Sequence, residues 1–462
     1  MRYKTYCFGD LVEKWIDNRG KTPPLSENGI PLLEVKHLPE SNLYPKIVGT
    51  KFVDKETYDS WFRAYLEPND ILFSTVGTTA RVVMTPPTET VAIAQNILGI
   101  RFKKDLVDPW FMFYYMRGKQ FQHDIEARLV TTVQASIKRA DMVGIPIAVP
   151  QLDAQKELVH RVISLDHKIQ LNQDINQTLK QMAQALFKSW FIDFEPVKAK
   201  ISALEAGGSQ EEATLAAMTA ISGKDAGSLA VFEQVYPEKY DELKSTAELF
   251  PSAMQDIESV KIPESWNLAP LSSIASFASG KIDVSELTKD TYISTENMLV
   301  NKMGIECATS LPSASTTPSF NPGHILISNI RPYFKKIWFA RFSGGRSADV
   351  LAFEHKKHIT AEYLYNVLYQ DSFFDFMMRT SKGVKMPRGD KKAIMEWSCI
   401  VPTVELVSVF SNKVKEFYSY IESHNKENTQ LSQLRDTLLP KLLSGEITLP
   451  DAEEIAKEAD YV

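Results

Sequence analysis

Apolar residues at Val162, Leu165 and Ile169 step by three and four along residues 161–182, the spacing that one buried face of a helix requires. The stripe meets two amides, Asn172 and Asn176, before resuming at Leu179, Ala183, Leu186 and Trp190. A shift of 252 positions lays a second such helix over the first: Leu158 falls on Phe410, Val162 on Val414, Leu165 on Phe417, Ile169 on Ile421, Leu179 on Leu431 and Leu186 on Leu438. The polar interruption repeats too, with Asn172 on His424 and Asn176 on Asn428. Two matched interruptions at one fixed offset point to a duplicated unit.

The duplication reaches upstream. "EPNDILFS" (67–74) resembles "NPGHILIS" (321–328) at an offset of 254, and "RGK" (19–21) echoes "SGK" (279–281) at 260. That drift is the signature of small loop insertions, and the period is too long for a solenoid. Short runs read as strands: "DILFST", "RVVMT" and "VAIAQNILGIRF" in the first half, "HILIS", "KIWFARF" and "DVLAF" in the second. Helical stretches follow, "PWFMFYYMRGKQFQHDI" and "AEYLYNVLYQDSFFDFMMR", whose aromatic faces at helical spacing are assigned to the core.

The expected fold class is therefore α+β: two globular mixed α/β domains related by pseudo-two-fold symmetry, separated by two long antiparallel coiled-coil helices. The expected boundaries are 1–149 for the first globular block, 150–196 for the first spacer helix, 197–265 for a linker, 266–400 for the second block, 401–445 for the second spacer helix and 446–462 for an acidic tail. Residues 200–265, with "LEAGGSQEEA" and "SGKDAGS", read as a loosely ordered connector with room for a short helix. Two equivalent helices related by a two-fold axis run antiparallel. Asn172 is then expected near Asn428 and Asn176 near His424, as pins of helix pairing, because any slip buries an unpaired amide. His424 belongs to that layer; no second histidine or cysteine lies at helical ligand spacing, and no metal site is expected.

With 44% hydrophobic and 24% charged residues the composition is that of a globular chain. No apolar run approaches a membrane span, "MRYKTYCFGD" lacks a signal stretch, and Cys7, Cys307 and Cys399 are far apart, which together lead to a cytoplasmic expectation with no membrane partner. The net charge of −6 is uneven: residues 200–265 carry −7 and residues 446–462 carry −5, leaving +6 on the remainder. An acidic total thus does not exclude a polyanionic partner. "RTSKGVKMPRGDKK" (379–392) sets six bases against one acid.

As a helix, residues 152–190 span roughly 58 Å. Successive turns of B-DNA lie about 34–36 Å apart. Two diverged blocks on such a spacer suit two different half-sites with a fixed gap, and the same geometry suits a scaffold that binds only proteins.

At this point the chain resembles a family. "LRDTLLPKLLSGEI" (434–447) looks like the C-terminus of specificity subunits of type I restriction–modification enzymes. "ALFKSWFIDFEPVKAK" (185–200), "LFP" (249–251) and "IPESW" (262–266) are similar to the linker region of such subunits, and Val149-Pro150-Gln151 and Val401-Pro402 to their domain-to-helix junctions. The second junction departs from the pattern, since Val407 stands where the first has Gln155. The resemblance implies a non-catalytic subunit whose two recognition domains each read one half of a split double-stranded DNA sequence. It also implies two methyltransferase subunits, which bind S-adenosylmethionine, docked on the helices. ATP-driven restriction subunits can join, and no cofactor is expected in this chain itself.

An enzyme would need a signature that the sequence lacks. There is no phosphate-binding Gly-rich loop ending in Gly-Lys-Ser/Thr. "MTPPTE" (84–89) puts threonine where an adenine methyltransferase needs an amide or carboxylate. Asp17 with Glu34-Val35-Lys36 mimics a metal-dependent nuclease pattern, but the counterpart Thr295-Glu296-Asn297 does not repeat it. No catalytic residue is expected. Candidate DNA contacts lie in polar loops after strands: Thr75, Thr78, Thr79 and Arg81 around Gly77, Gln95 and Asn96 as amides that could read adenine, and Lys138 and Arg139 for phosphates. In the second block they are Asn329, Arg331, Tyr333, Lys335 and Lys336 in the equivalent loop, with Arg346, Lys382, Lys385 and Arg388 on a basic face. A protein-binding coiled-coil adaptor remains the alternative, although it needs no pair of diverged basic blocks.

Overall fold

The computed structural model describes residues 3–446 apart from 19, 41, 132–134 and 445. The expected acidic tail beyond Glu446 therefore lies outside the described residues, as does Arg19 of the "RGK" echo. The chain divides into two compact units: one formed by the chain up to Asp174 together with the segment from His424 onward, the other by Ile175–Ser423.

Both units are α+β and repeat one plan. In the first, strands Val12–Ile16, Ile97–Phe102, Ile71–Ser74 and Val82–Met84 lie side by side in that order, all antiparallel. In the second, Ala275–Phe277, Val350–His355, Ile325–Ser328 and Ile337–Phe339 form the same sheet. The central strands "ILFS" and "ILIS" are buried at every position, which is why they read as unbroken apolar runs rather than alternating ones. Each unit adds one parallel pair, Ile30–Leu33 with Ala92–Ile93 and Tyr292–Ile293 with Gly344–Arg346. Each also closes its termini antiparallel, Tyr3–Cys7 on Pro146–Pro150 and Asn267–Pro270 on Ser398–Val401.

The aromatic helices start at repeated caps. Asp108 Oδ1 accepts from the amides of Trp110 and Phe111 ahead of Pro109–Arg117, and Thr360 Oγ1 accepts from Tyr363 ahead of Ala361–Leu368. Their aromatic faces are core, as expected: Phe111, Phe113, Tyr114, Tyr363 and Leu364 are all buried. Gln155, which Val407 replaces in the repeat, does have a structural task. Its Oε1 accepts from the Asp108 amide at 2.8 Å and its Nε2 donates to Pro150 O at 2.8 Å, tying the start of the long helix to that cap.

The long helices run Leu152–Phe191 and Val404–Ser444. Within the first unit they pair antiparallel: Asp166 meets Arg435, and Asn172 meets Asn428. Leu158, Val159 and Val162 from one helix and Leu434, Leu438 and Leu442 from the other join the core of the first block. In the second unit Ala183, Phe187, Trp190 and Phe191 pack with Leu406, Phe410, Val414 and Tyr418 against the second block. Asn172 is fully buried and donates to Asn428 Oδ1 at 2.9 Å and to Glu427 Oε2 at 2.7 Å. Glu427 was not foreseen; it also faces Lys168 at 3.5 Å. Asn176 is buried.

A second polar bridge lies one block inward. Asp166, only 5% exposed, accepts from Tyr114 Oη at 2.7 Å and pairs with Arg435 at 2.5 Å. The repeat places Asn366 where Tyr114 stands and Tyr418 where Asp166 stands, and Asn366 Nδ2 donates to Tyr418 Oη at 2.9 Å. The geometry is kept while the charge is lost.

The loosely ordered connector expected over 200–265 is corrected by the structure. The segment holds helices Glu195–Glu205, Gln210–Ser222, Ala226–Val235 and Pro237–Glu248, then the hairpin Met254–Ile257 with Val260–Pro263. Ala217, Met218, Leu229, Leu243 and Ala247 make its own small core. The glycines and serines that suggested disorder are punctuation between helices. Ser209 forms a capping box with Glu212, Gly223 ends its helix with φ +67°, and Asp225 caps the next. Buried Lys200 donates to the carbonyls of Ala247 and Phe250. Among the described residues no helix is long and apolar enough to cross a membrane.

Asp166→Ala would orphan the buried Tyr114 hydroxyl and leave the half-buried Arg435 with Asp436 alone, an expected loss of about 2–3 kcal/mol. Asn172→Ala would orphan the Asn428 amide for about 1–3 kcal/mol. Chemical denaturation of the two variants beside the parent checks both the sign and the order.

Candidate nucleic-acid interface

Each block carries one loop built on the same backbone frame. In the first, the Ser74 amide donates to Arg81 O at 3.0 Å, Thr75 N to Asn96 O at 2.9 Å, and Ile137 N to Thr75 O at 3.0 Å, while Val76 bridges to Ser136. In the second, Ser328 N donates to Lys336 O at 3.1 Å, Asn329 N to Asp349 O at 2.8 Å, and Gly389 N to Asn329 O at 3.3 Å, while Ile330 bridges to Arg388. Three segments far apart in sequence thus meet at one central residue, Thr75 or Asn329. The frame gathers residues 75–81 with 95–96 and 135–139 in one block, and 329–336 with 349 and 387–389 in the other.

What the frame displays differs between blocks. The first loop is small and uncharged at its tip: Ser74 Oγ donates to Thr78 O at 2.6 Å, and Gly77, at φ +84°, gives its amide to Ala135 O. Thr78 and Gln95 are exposed, whereas Thr75, Thr79 and Asn96 are half-buried. Arg81 turns back into the block, donating to Leu38 O at 3.0 Å with Glu40 at 3.6 Å. Lys138 and Arg139 are exposed at the start of the short helix Arg139–Val143, and the Arg139 guanidinium lies 5.8 Å over the Trp15 ring.

The second loop is basic and strained. Arg331 and Lys335, both at φ +49°, bracket the turn Pro332–Phe334, a left-handed backbone that costs energy for residues other than glycine. Tyr333 at its tip is half exposed and lies against Phe334, with ring centroids 4.6 Å apart. A second left-handed turn, Asn301–Lys302, pairs with this loop through Asn301 N to Phe334 O and Lys302 N to Lys335 O. Lys302 and Lys335 share Asp371 at 2.8 and 2.9 Å, which holds that carboxyl below the usual range. Sequence reading missed Lys302, whose signal was the Asn-Lys-Met-Gly turn, and Asp371, which nothing local marked. Lys336 points inward to Thr295 O at 2.6 Å, and burial lowers its pKa.

Four basic-face residues occupy different surroundings. Arg346 is buried, and its guanidinium donates to the carbonyls of Val350, Ala278 and Ser319, which makes it a fixture of the sheet rather than part of an exposed face. Lys382 pairs with Asp390 at 2.5 Å. Lys385 is exposed at the loop tip. Arg388 is exposed and gripped by Asp349 through two hydrogen bonds of 3.0 and 3.2 Å. Asn329 Oδ1, Arg331 Nε and Arg81 Nε are buried with no hydrogen-bond partner, polar capacity left open at both loops.

The nuclease-like trio is otherwise engaged. Glu34 meets Lys36 at 2.7 Å and Lys51 at 2.9 Å, and hydrogen bonds from Lys36 and then Lys51 draw its carboxyl down to about 2. Among the described residues no three carboxylate, imidazole or thiol side chains gather as a metal site would need.

Arg346→Ala is expected to destabilise the second block by about 1–3 kcal/mol, since three carbonyls lose their donor. Lys385→Ala is expected to leave the melting midpoint unchanged; thermal unfolding of both separates the fixture from the surface charge.

Comparisons with known proteins bear on what these loops serve. Residues 2–181 match the family described as Type I restriction modification DNA specificity domain. The HindI specificity subunit of Haemophilus influenzae is 28% identical over 412 residues, 83% of this chain and 87% of that protein. The MjaIX specificity subunit of Methanocaldococcus jannaschii is 21% identical over 79% of this chain and 76% of its own length. The crystal structure of the S subunit from M. genitalium aligns over 96% of both chains, with a TM-score of 0.47 and 14% identity. The first block thus matches the model of that family, and a type I specificity subunit is similar to this chain through both of its halves.

Proposed function

We propose that this chain is the DNA-reading subunit of a type I restriction–modification enzyme, each block recognising one half of a split site. The observation that carries the reading is the loop frame built twice with unlike side chains on it. Equal frames present two surfaces in equivalent settings, and unlike tips, threonines in one and arginine, tyrosine and lysines in the other, suit unlike base sequences. Phosphate contacts from Lys138, Arg139 and Lys385 would supply affinity, and side chains at base edges would supply specificity.

On this reading the paired helices set the unspecified gap and dock two methyltransferase subunits. S-adenosylmethionine and ATP would be bound by the methyltransferase and restriction subunits, and the chain itself would do no chemistry. The cytoplasm, where cellular DNA and these cofactors are available, is the proposed location.

Methylation mapping of DNA from cells expressing this chain with its neighbouring methyltransferase subunit should reveal a split motif methylated on adenine in both halves. Co-purification of the two subunits without any split motif would sink the DNA-reading role and leave a protein adaptor. In the assembled complex, Lys138→Ala with Arg139→Ala should weaken binding to all sequences alike. The slope of log affinity against log salt should become shallower by roughly one to two.

A further inference from the structure

We infer that Arg388, held by Asp349, is a base-reading residue of the second block and recognises a guanine. The inference rests on the DNA-reading function proposed above. Asp349 Oδ1 accepts from Nε at 3.0 Å and Oδ2 from Nη2 at 3.2 Å, so one edge of the guanidinium is fixed. The terminal edge, Nη1 with the second hydrogen of Nη2, stays open on a side chain that is 51% exposed. Two parallel N–H donors at that spacing match the O6 and N7 acceptors that guanine alone presents together in the major groove.

The backbone on both sides of the pair is fixed as well. Arg388 exchanges amide hydrogen bonds of 2.9 Å with Lys382 and bridges to Ile330. The next residue, Gly389, donates to Asn329 O, and Asn329 N donates to Asp349 O. Arginine and carboxylate are therefore anchored to one buried residue, Asn329. A side chain at 389 would disturb this, since a Cβ there would lie 2.8 Å from Asn329 Oδ1.

Two arguments favour a base over a phosphate. An ion pair this exposed adds little to stability, so holding the fork in one orientation serves presentation rather than folding. A guanidinium already facing a carboxylate also has much of its charge offset. That weakens its pull on phosphate but leaves its directional donors intact, and orientation fixed in advance lowers the cost of recognition. The first block has no such device, because Ser136 occupies the place of Arg388 and Asn96 that of Asp349. The guanine requirement therefore belongs to one half-site only.

The test is methylation mapping in cells expressing the full chain with its methyltransferase subunit, comparing the parent with Arg388→Lys and Asp349→Asn. Arg388→Lys keeps the charge and removes the fork. It should relax one G·C position in one half-site, with discrimination there falling about tenfold or more, while the other half-site stays intact. Asp349→Asn should relax the same position to a smaller degree. Equal melting midpoints would exclude misfolding for both variants. An unchanged motif in Arg388→Lys would overturn the assignment. So would an even loss of methylation at all sites with the motif preserved, the mark of a phosphate contact. A parent chain that yields no split motif would instead overturn the DNA-reading function, and this inference with it.

Discussion

Asp166 is a carboxylate almost wholly withdrawn from water, and the first unit is arranged around making that tolerable. A buried charge needs an opposite charge and satisfied lone pairs. Arg435 supplies the charge and Tyr114 the second donor, and each comes from a different element: one long helix, the other long helix and the aromatic helix of the block. Block and both long helices therefore meet in one three-way polar joint, besides the tie of Gln155 to the Asp108 amide. Asn172 with Asn428, further along the same seam, adds a second constraint on sliding. Apolar contacts from Leu158, Val162, Leu438 and Leu442 provide most of the adhesion, but they would tolerate a shifted register that these polar pairs would not.

The second unit keeps the joint and changes its chemistry. Asn366 and Tyr418 stand where Tyr114 and Asp166 stand, a neutral pair where the first unit has a charge. The loops around Thr75 and Asn329 show the same relation: a frame of main-chain hydrogen bonds retained, with the displayed side chains replaced. Backbone groups can hold a shape without prescribing side chains, which lets duplicated blocks diverge at the tips without losing the scaffold.

The long helices, their polar interruption and the buried strands were legible because each leaves a periodic or continuous apolar signal, reinforced by the repeat at 252. The equivalence of loops 75–81 and 329–336 was legible for the same reason. The connector was misread because Gly207, Gly208 and Ser209 look alike as disorder or as helix punctuation, and only the packing of Met218, Leu229 and Leu243 decides between them. Arg346 was misplaced because an arginine between glycine and serine gives no local sign that three carbonyls will surround it. The grip of Asp349 on Arg388 joins residues 39 apart in sequence and has no periodicity at all. Local pattern reaches as far as secondary structure and repeats; long-range polar pairing lies beyond it.

The first unit is assembled from the two ends of the chain, with Ile175–Ser423 forming the second unit in between. During synthesis Leu158, Val159 and Val162 emerge early, while Leu434, Leu438 and Leu442, which cover them, emerge last. At a ribosomal pace of about 5–20 residues per second, the delay is on the order of ten seconds to a minute. Throughout it the nascent first block holds an uncovered apolar helix face and an Asp166 without Arg435. The second unit waits too, for Leu406, Phe410, Val414 and Tyr418 to cover Ala183, Phe187 and Phe191, but it is complete before Leu434 emerges. The half translated first is thus the half completed last, and a ribosome that stalls late releases a chain with one finished block and one sticky one.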